Sequence, residues 1–258
     1  MAKPRVLVLR SPGTNCDEET AFAFEKAGGL PERIHINRLV EKPNTIEDFQ
    51  ILCVPGGFSY GDDIAAGRIL ANQMASTLQS CLEEFRAQGK LILGICNGFQ
   101  VLIKTGLLID ESEHGFSATL TWNRHGQYED RWVDLQSIES PCVFTDGIDR
   151  MYLPVAHAEG RFAVRDQTVY EQLFGNGQLA LRYATPGNAN GQVPFPYNPN
   201  GSVGNVAGVC DPTGRVFGLM PHPERFIDRT HHPHWTRLSD DLPADGIRIF
   251  ENSVRYFG

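Results

Sequence analysis

The run Leu91-Ile-Leu-Gly-Ile-Cys96-Asn-Gly-Phe-Gln100 decides the fold, because a continuous apolar stretch stops there at one cysteine set between glycines. Leu91 to Ile95 has the unbroken aliphatic character of a strand covered on both faces. From Gly98 onward, Phe99, Leu102 and Ile103 fall at helical spacing, which places Cys96 at a strand-to-helix turn. Gly94 and Gly98 are the small neighbours that a sharp elbow needs, since the backbone is strained there and other segments approach closely. Such an elbow exposes the thiol at a helix N-terminus, where the dipole favours an anion. A buried cysteine that only packs satisfies the same pattern, and the elbow alone leaves both readings open.

Outward from this run, Arg5 to Leu9, Ile34 to Ile36 and Ile51 to Val54 have the composition of short strands. Ser11-Pro-Gly-Thr-Asn15 leads into a helix that ends at Gly28-Gly29, with Asn15 and Glu18 spaced as an N-terminal cap. A helix is expected from Ala71 to Gln88, where Met74, Leu78, Cys81, Leu82 and Phe85 share one face and Gly89 supplies the stop. This alternation predicts an α/β protein, a flavodoxin-like open and mostly parallel sheet with helices on both faces. After Gly106 the pattern changes to a small antiparallel extension. Strands are expected at Ala118 to Trp122, Arg131 to Ile138, Met151 to Ala156 and Leu179 to Tyr183, with a short helix at Thr168 to Phe174. Val206 to Cys210 and Val216 to Met220 form a hairpin around Asp211-Pro-Thr-Gly214. The Pro-, Asn- and Gly-rich stretch from Ala184 to Gly204 is a loop too long for a mere connector, and a final helix from Gly246 to Phe257 docks on the sheet. Without repeats or a dividing linker, residues 1–258 are expected to form a single domain.

At 258 residues, 41% hydrophobic and 21% charged, the chain can bury a large core unaided. Its net charge of -8 argues against binding to nucleic acid or an anionic membrane. The apolar run Val6 to Leu9 is too short for a signal peptide or a spanning helix, so a cytoplasmic location is expected. Six scattered cysteines without a Cys-x-x-Cys pair predict reduced thiols and no zinc ribbon.

A cysteine nucleophile needs a base and a group that orients the base. Met220-Pro-His222-Pro-Glu224 offers both: prolines stiffen the turn that presents His222, and Glu224 stands two residues away to fix its tautomer. Pro55-Gly-Gly57, after the third strand, can turn backbone N–H groups toward a developing oxyanion. It lacks the Lys-Ser/Thr of a nucleotide-binding loop.

Together, Gly-Ile-Cys-Asn-Gly-Phe-Gln at 94–100, Pro-Gly-Gly at 55–57 and His-Pro-Glu at 222–224 resemble the class I (triad) glutamine amidotransferases. Pro55-Gly-Gly-Phe-Ser-Tyr-Gly-Asp62, Ala156-His-Ala-Glu-Gly-Arg-Phe162, Asn198-Pro-Asn-Gly-Ser202 and Met220-Pro-His-Pro-Glu-Arg225 resemble one branch of that family, the glutaminase subunits serving a purine-pathway synthetase. The resemblance implies that Cys96 attacks the side-chain amide of glutamine, with His222 as base and then acid and Glu224 orienting it. It implies an oxyanion hole from the amides of Gly57 and Asn97, and a glutamine contact from Gln100. It further implies that ammonia passes to a synthetase subunit, which uses ATP and magnesium to convert formylglycinamide ribonucleotide to the amidine, and that a small third subunit bridges the assembly. No cofactor and no metal are expected in this subunit itself.

Other readings keep the triad in a freestanding hydrolase, or make the chain a silent docking subunit. The intact triad residues speak against silence, and the branch-specific stretches against a freestanding enzyme. One loop departs from the branch, which has Asn-x-Ser and then an aromatic where this chain has Asn123-Arg-His-Gly-Gln-Tyr128. His157 and Glu159 are read as a structural or interface element, since His222 and Glu224 already supply the base. The segment Phe226 to Pro243 carries His231, His232 and His234, and Pro233 among them predicts an exposed loop rather than a metal site.

Overall fold

The structure, a computed structural model, describes residues 3–109, 115–186, 193–239 and 243–258. Part of the loop from Ala184 to Gly204 and part of the 226–243 segment lie outside the described residues.

The first half alternates as β1 (Arg5–Arg10), α1 (Asp17–Lys26), β2 (Leu30–His35), α2 (Ile36–Glu41), β3 (Ile51–Val54), α3 (Arg68–Thr77), α4 (Gln79–Ala87), β4 (Leu91–Ile95) and α5 (Asn97–Lys104). The second half holds β5 (Ala118–Thr121), β6 (Glu129–Ser137), β7 (Arg150–His157), β8 (Arg161–Val164), α6 (Gln167–Gly175), β9 (Leu181–Ala184), β10 (Val206–Cys210), β11 (Val216–Leu219) and α7 (Ile247–Arg255).

Among the described residues, nine strands share one sheet in the order β2-β1-β3-β4-β11-β10-β9-β6-β7. The pairs from β2 through β11 are parallel, and the pairs from β11 out to β7 are antiparallel. The expected fold is therefore present, with four strands in the antiparallel extension. Strands β5 and β8 pair as a separate small sheet. Every residue of β3, β4, β10 and β11 is buried, as a sheet centre covered on both faces requires. Helix α1 packs with α7 through an edge-to-face Phe24–Phe250 contact of 4.9 Å, and α5 packs on β3, β4 and β11 beside α3.

Register decides where the chemistry can sit. Val54 of β3 lies opposite Gly94 of β4, and Leu219 of β11 lies opposite Ile95. The loops that follow Val54, Ile95 and Leu219 consequently leave the same edge, the carboxyl end of the parallel strands.

Three local expectations are corrected. The helix expected from Ala71 to Gln88 is two helices, broken where Leu78 takes φ −122°. The Ser76 and Thr77 hydroxyls donate to the Gln73 carbonyl at 3.1 and 2.6 Å, a bond that competes with the helical ladder. Asn15 does not cap α1. That helix starts after Cys16 without a side-chain cap, and Asp17, Glu18 and Glu19 complement its dipole instead. Strand β2 starts four residues earlier than expected, at Leu30, because its pairing with β1 runs from Arg5 opposite Leu30 to Arg10 opposite His35. Pro31 is tolerated there because β2 is an edge strand. Helix α2 and strand β8, both short, had no distinct signal in the sequence.

Helix α5 sits close enough to the sheet that a Cβ on Gly98 would stand 1.8 Å from the Val54 carbonyl oxygen. Backbone cannot yield as a flexible side chain does. Gly98→Ala is expected to cost about 3 kcal/mol or more, read as a lowered midpoint of urea unfolding.

Candidate active site

Cys96 joins β4 to α5 with φ 50° and ψ −103°, a conformation that a side-chain-bearing residue adopts only under strain. It is 5% exposed. The thiol rests against the Ala156 carbonyl oxygen at 3.8 Å, and the first-turn amides of α5 point from a helix start that leaves them without intrahelical partners.

His222 follows β11, and its own amide donates to the Pro154 carbonyl at 2.8 Å, which ties the turn to β7. Its Nδ1 meets Glu224 Oε1 at 2.6 Å, with both side chains buried. That contact sets the tautomer: Nδ1–H donates to the carboxylate and Nε2 is left free. Among the described residues, Nε2 is buried without a hydrogen-bond partner, as is Glu224 Oε2. The Cys96 sulfur lies near enough to the ring to favour its protonated form. Burial alone would push the imidazole down, yet the Glu224 carboxylate and the Cys96 sulfur raise it well above the ordinary histidine range.

A second sulfur, Cys16, also stands within reach of His222. The sequence had marked it only as one of six cysteines, although it lies in the loop after β1, at the same sheet edge as Cys96. Two features separate the thiols. Cys16 is 1% exposed and burial pushes its thiol up to about 11, whereas Cys96 holds the strained elbow. The Cys16, His222 and Glu224 donor atoms lie within 4.8 Å of one another, the one such group among the described residues. An Arg225 N–H already donates to the Cys16 sulfur at 3.2 Å, and its positive charge opposes a cation at that point.

Gly57 lies in the loop after β3, which is pinned to the loop after β1: Phe58 N–H donates to the Gly13 carbonyl at 3.0 Å and Cys16 N–H to the Gly56 carbonyl at 3.3 Å. Asn97 staples the next turn, accepting from Ser59 N–H at 3.2 Å and donating to Asp62 at 3.1 Å and to Gln100 Oε1 at 3.0 Å. Gln100 in turn donates to the Glu159 carbonyl at 2.6 Å. Its amide is thus partly committed to the protein, and a glutamine contact has to use the second N–H or lone pair.

His157 lies near the site, its neighbour Ala156 meeting the Cys96 thiol and the charge of His222 reaching its ring, but its own polar contacts run elsewhere. Its Nδ1–H donates to Asn123 Oδ1 at 3.1 Å, while its Nε2 is buried without a partner among the described residues. Asn123 also accepts from Gly160 N–H and donates to the Gln127 and His157 carbonyls, so it brackets the divergent loop. Glu159 accepts from Ala66 N–H at 3.3 Å. Tyr128, from that same loop, is half-exposed. Its phenol is pushed up by burial and by the charge of Cys96. The histidine-rich segment is not a wholly exposed loop. His232 is buried against Trp132 at 4.7 Å, beside Tyr152 and Phe226.

The structure thus places a strained cysteine and a histidine bonded to a buried glutamate at the carboxyl edge of one parallel sheet. Residues 3–257 match the model of the CobB/CobQ-like glutamine amidotransferase domain, and the chain belongs to that family. It is 46% identical over 257 residues to the phosphoribosylformylglycinamidine synthase subunit PurQ of Dehalococcoides mccartyi, covering 99% of this chain and 98% of that one. The PurQ subunit of Methanococcus maripaludis is 43% identical over 268 residues, covering 98% and 97%. A solved structure, PurLQS from Thermotoga maritima, superimposes over all of both chains with TM-score 0.76 and 31% identity. A protein from Thermoplasma acidophilum described as a GMP synthase subunit, 13% identical with TM-score 0.59, shares the fold.

Burial pushes the His157 imidazole down to about 3, because protonation would leave a charge in the core with no acceptor at Nε2. The unfolded chain binds this proton below the ordinary value near 6.5, and the folded chain does not. The contribution is therefore complete above that value and is lost as pH falls toward 3, by roughly 1.4 kcal/mol per pH unit. Between about pH 7 and about pH 5, urea unfolding of the wild type should lose about 2 kcal/mol more than His157→Gln loses.

Proposed function

We propose that this chain hydrolyses glutamine and delivers the ammonia to a synthetase subunit that makes formylglycinamidine ribonucleotide in de novo purine biosynthesis. The observation that carries the reading is the strained Cys96 within reach of a histidine whose other ring nitrogen is held by a buried carboxylate. High identity to PurQ subunits over the whole chain supports the choice of partner.

In this reading His222 Nε2 takes the Cys96 proton, and the sulfur attacks the side-chain carbonyl carbon of glutamine. The amides of Gly57 and Asn97 donate to the oxyanion. His222, as imidazolium held by Glu224, returns the proton to the leaving nitrogen, and ammonia departs from a glutamyl thioester. His222 then activates water, the thioester is hydrolysed, and glutamate leaves. Gln100 joins the glutamine pocket to the Glu159 turn, and so takes part in binding both directly and by placement. Nucleophile, base and oxyanion donors are all protein groups, so the hydrolysis needs no cofactor or metal of its own. ATP and magnesium serve the synthetase.

The chain acts as one domain over residues 1–258, since strands from both halves share a sheet. It works in the cytoplasm, with a small third subunit bridging it to the synthetase. No described helix is long and apolar enough to cross a membrane, and the net charge of -8 disfavours nucleic acid.

Cys96→Ala should lower glutamine-dependent synthesis by the assembled complex at least roughly a thousandfold while ammonia-dependent synthesis continues. A glutamine-analogue electrophile should label Cys96. Retained glutamine-dependent turnover in the variant, or labelling of Cys16 instead, would overturn the mechanism.

A further inference from the structure

The hydrolysis uses one of the two sulfurs that stand within reach of His222. The other, on Cys16, is fixed from several sides. Its thiol donates to Asn15 Oδ1 at 3.2 Å, Arg225 Nη2 donates to the sulfur at 3.2 Å, and Arg225 Nε donates to Glu19 on α1 at 3.0 Å. Behind the ring there is no spare room. A Cβ on Gly56 would stand 2.8 Å from His222 Cε1 and 3.1 Å from the Cys16 sulfur.

Glu224 holds the imidazole at one atom only, Nδ1. A ring held at a single hydrogen bond can still tilt about that bond, and a tilt carries Nε2 away from Cys96. The packed sulfur removes this freedom. Arg225, whose side chain is half-buried, keeps the sulfur from moving in its turn, and the Glu19 ion pair holds Arg225.

On the footing of the glutaminase reading, we propose that Cys16 and Arg225 are positioning residues for the catalytic base: the sulfur braces the His222 ring so that Nε2 stays turned to Cys96, and Arg225 fixes the sulfur. Neither touches the reacting atoms. The brace acts through geometry and through hydrogen bonding, since the uncharged Cys16 sulfur also supports the protonated ring.

The test uses the assembled complex with glutamine, comparing wild type with Cys16→Ala, Arg225→Gln and the double variant. Cys16→Ala should lower kcat about tenfold with the KM for glutamine changed less than about twofold, since misplacement of a reacting group affects the chemical step more than binding. The alkaline limb of its pH–rate profile should move to lower pH, because the imidazolium has lost a supporting neighbour. A merely structural contact would not move that limb. Arg225→Gln leaves no cavity in the core, so it carries the test if Cys16→Ala unfolds early in a thermal melt. It should lower kcat in the same direction by a smaller factor. The double variant should be no slower than Cys16→Ala alone, since both act along one path. Folded variants with wild-type kcat and an unmoved alkaline limb overturn the brace, as do additive losses in the double variant. Labelling of wild-type Cys96 by the glutamine-analogue electrophile in the same preparations supports the underlying reading. Its absence overturns that reading, and with it the brace as part of catalysis.

Discussion

The close approach of Gly98 to the Val54 carbonyl seats α5 on the sheet, and the position of each reacting group follows from that contact. With the helix pressed onto β3 and β4, the connection from Ile95 to Asn97 has no length to spare, and Cys96 takes up the strain. The side chains around it then keep the elbow from relaxing. Asn97 ties the helix start to Ser59 and Asp62, and Gln100 ties it to the Glu159 turn. Tight packing and a satisfied polar network thus hold a backbone geometry that isolated peptide would abandon.

Two buried histidines show how surroundings decide charge. His222 has a carboxylate at Nδ1 and a sulfur near its far side, and its proton is held strongly. His157 has only the Asn123 amide oxygen and a bare Nε2, and it stays neutral far into acid. Both occur in the pattern His-x-Glu, yet only His222 is bonded to its own glutamate, because Glu159 turns away to the Ala66 amide. The two therefore differ in charge, one holding its proton and the other staying neutral.

Much of this was legible in the chain. The apolar runs at Ile51–Val54 and Leu91–Ile95 are strands to the residue, because strands covered on both faces leave an uninterrupted aliphatic signal. The His222–Glu224 pairing was also legible, since prolines leave the turn few alternatives. Cys16 and Arg225 were not. Their importance rests on Arg225 reaching across from a distant loop, a contact with no local periodicity. The break at Leu78 was hidden for the opposite reason: the apolar face continues through it, and only the hydroxyls of Ser76 and Thr77 divert the backbone. Buried His232 was hidden by a polar, proline-containing neighbourhood, while its partners Trp132 and Tyr152 come from the β6–β7 ribbon.

Strand β11 pairs in parallel with β4 although the whole antiparallel extension is spelled out between them. As the polypeptide is made from its N-terminus, the elbow with its thiol emerges long before the turn that bears His222. On the proposed mechanism, a growing or truncated chain accordingly carries a nucleophile with no base to deprotonate it. Glutaminase chemistry becomes possible only when the last hairpin inserts beside β4, so completion of the sheet doubles as the arming step.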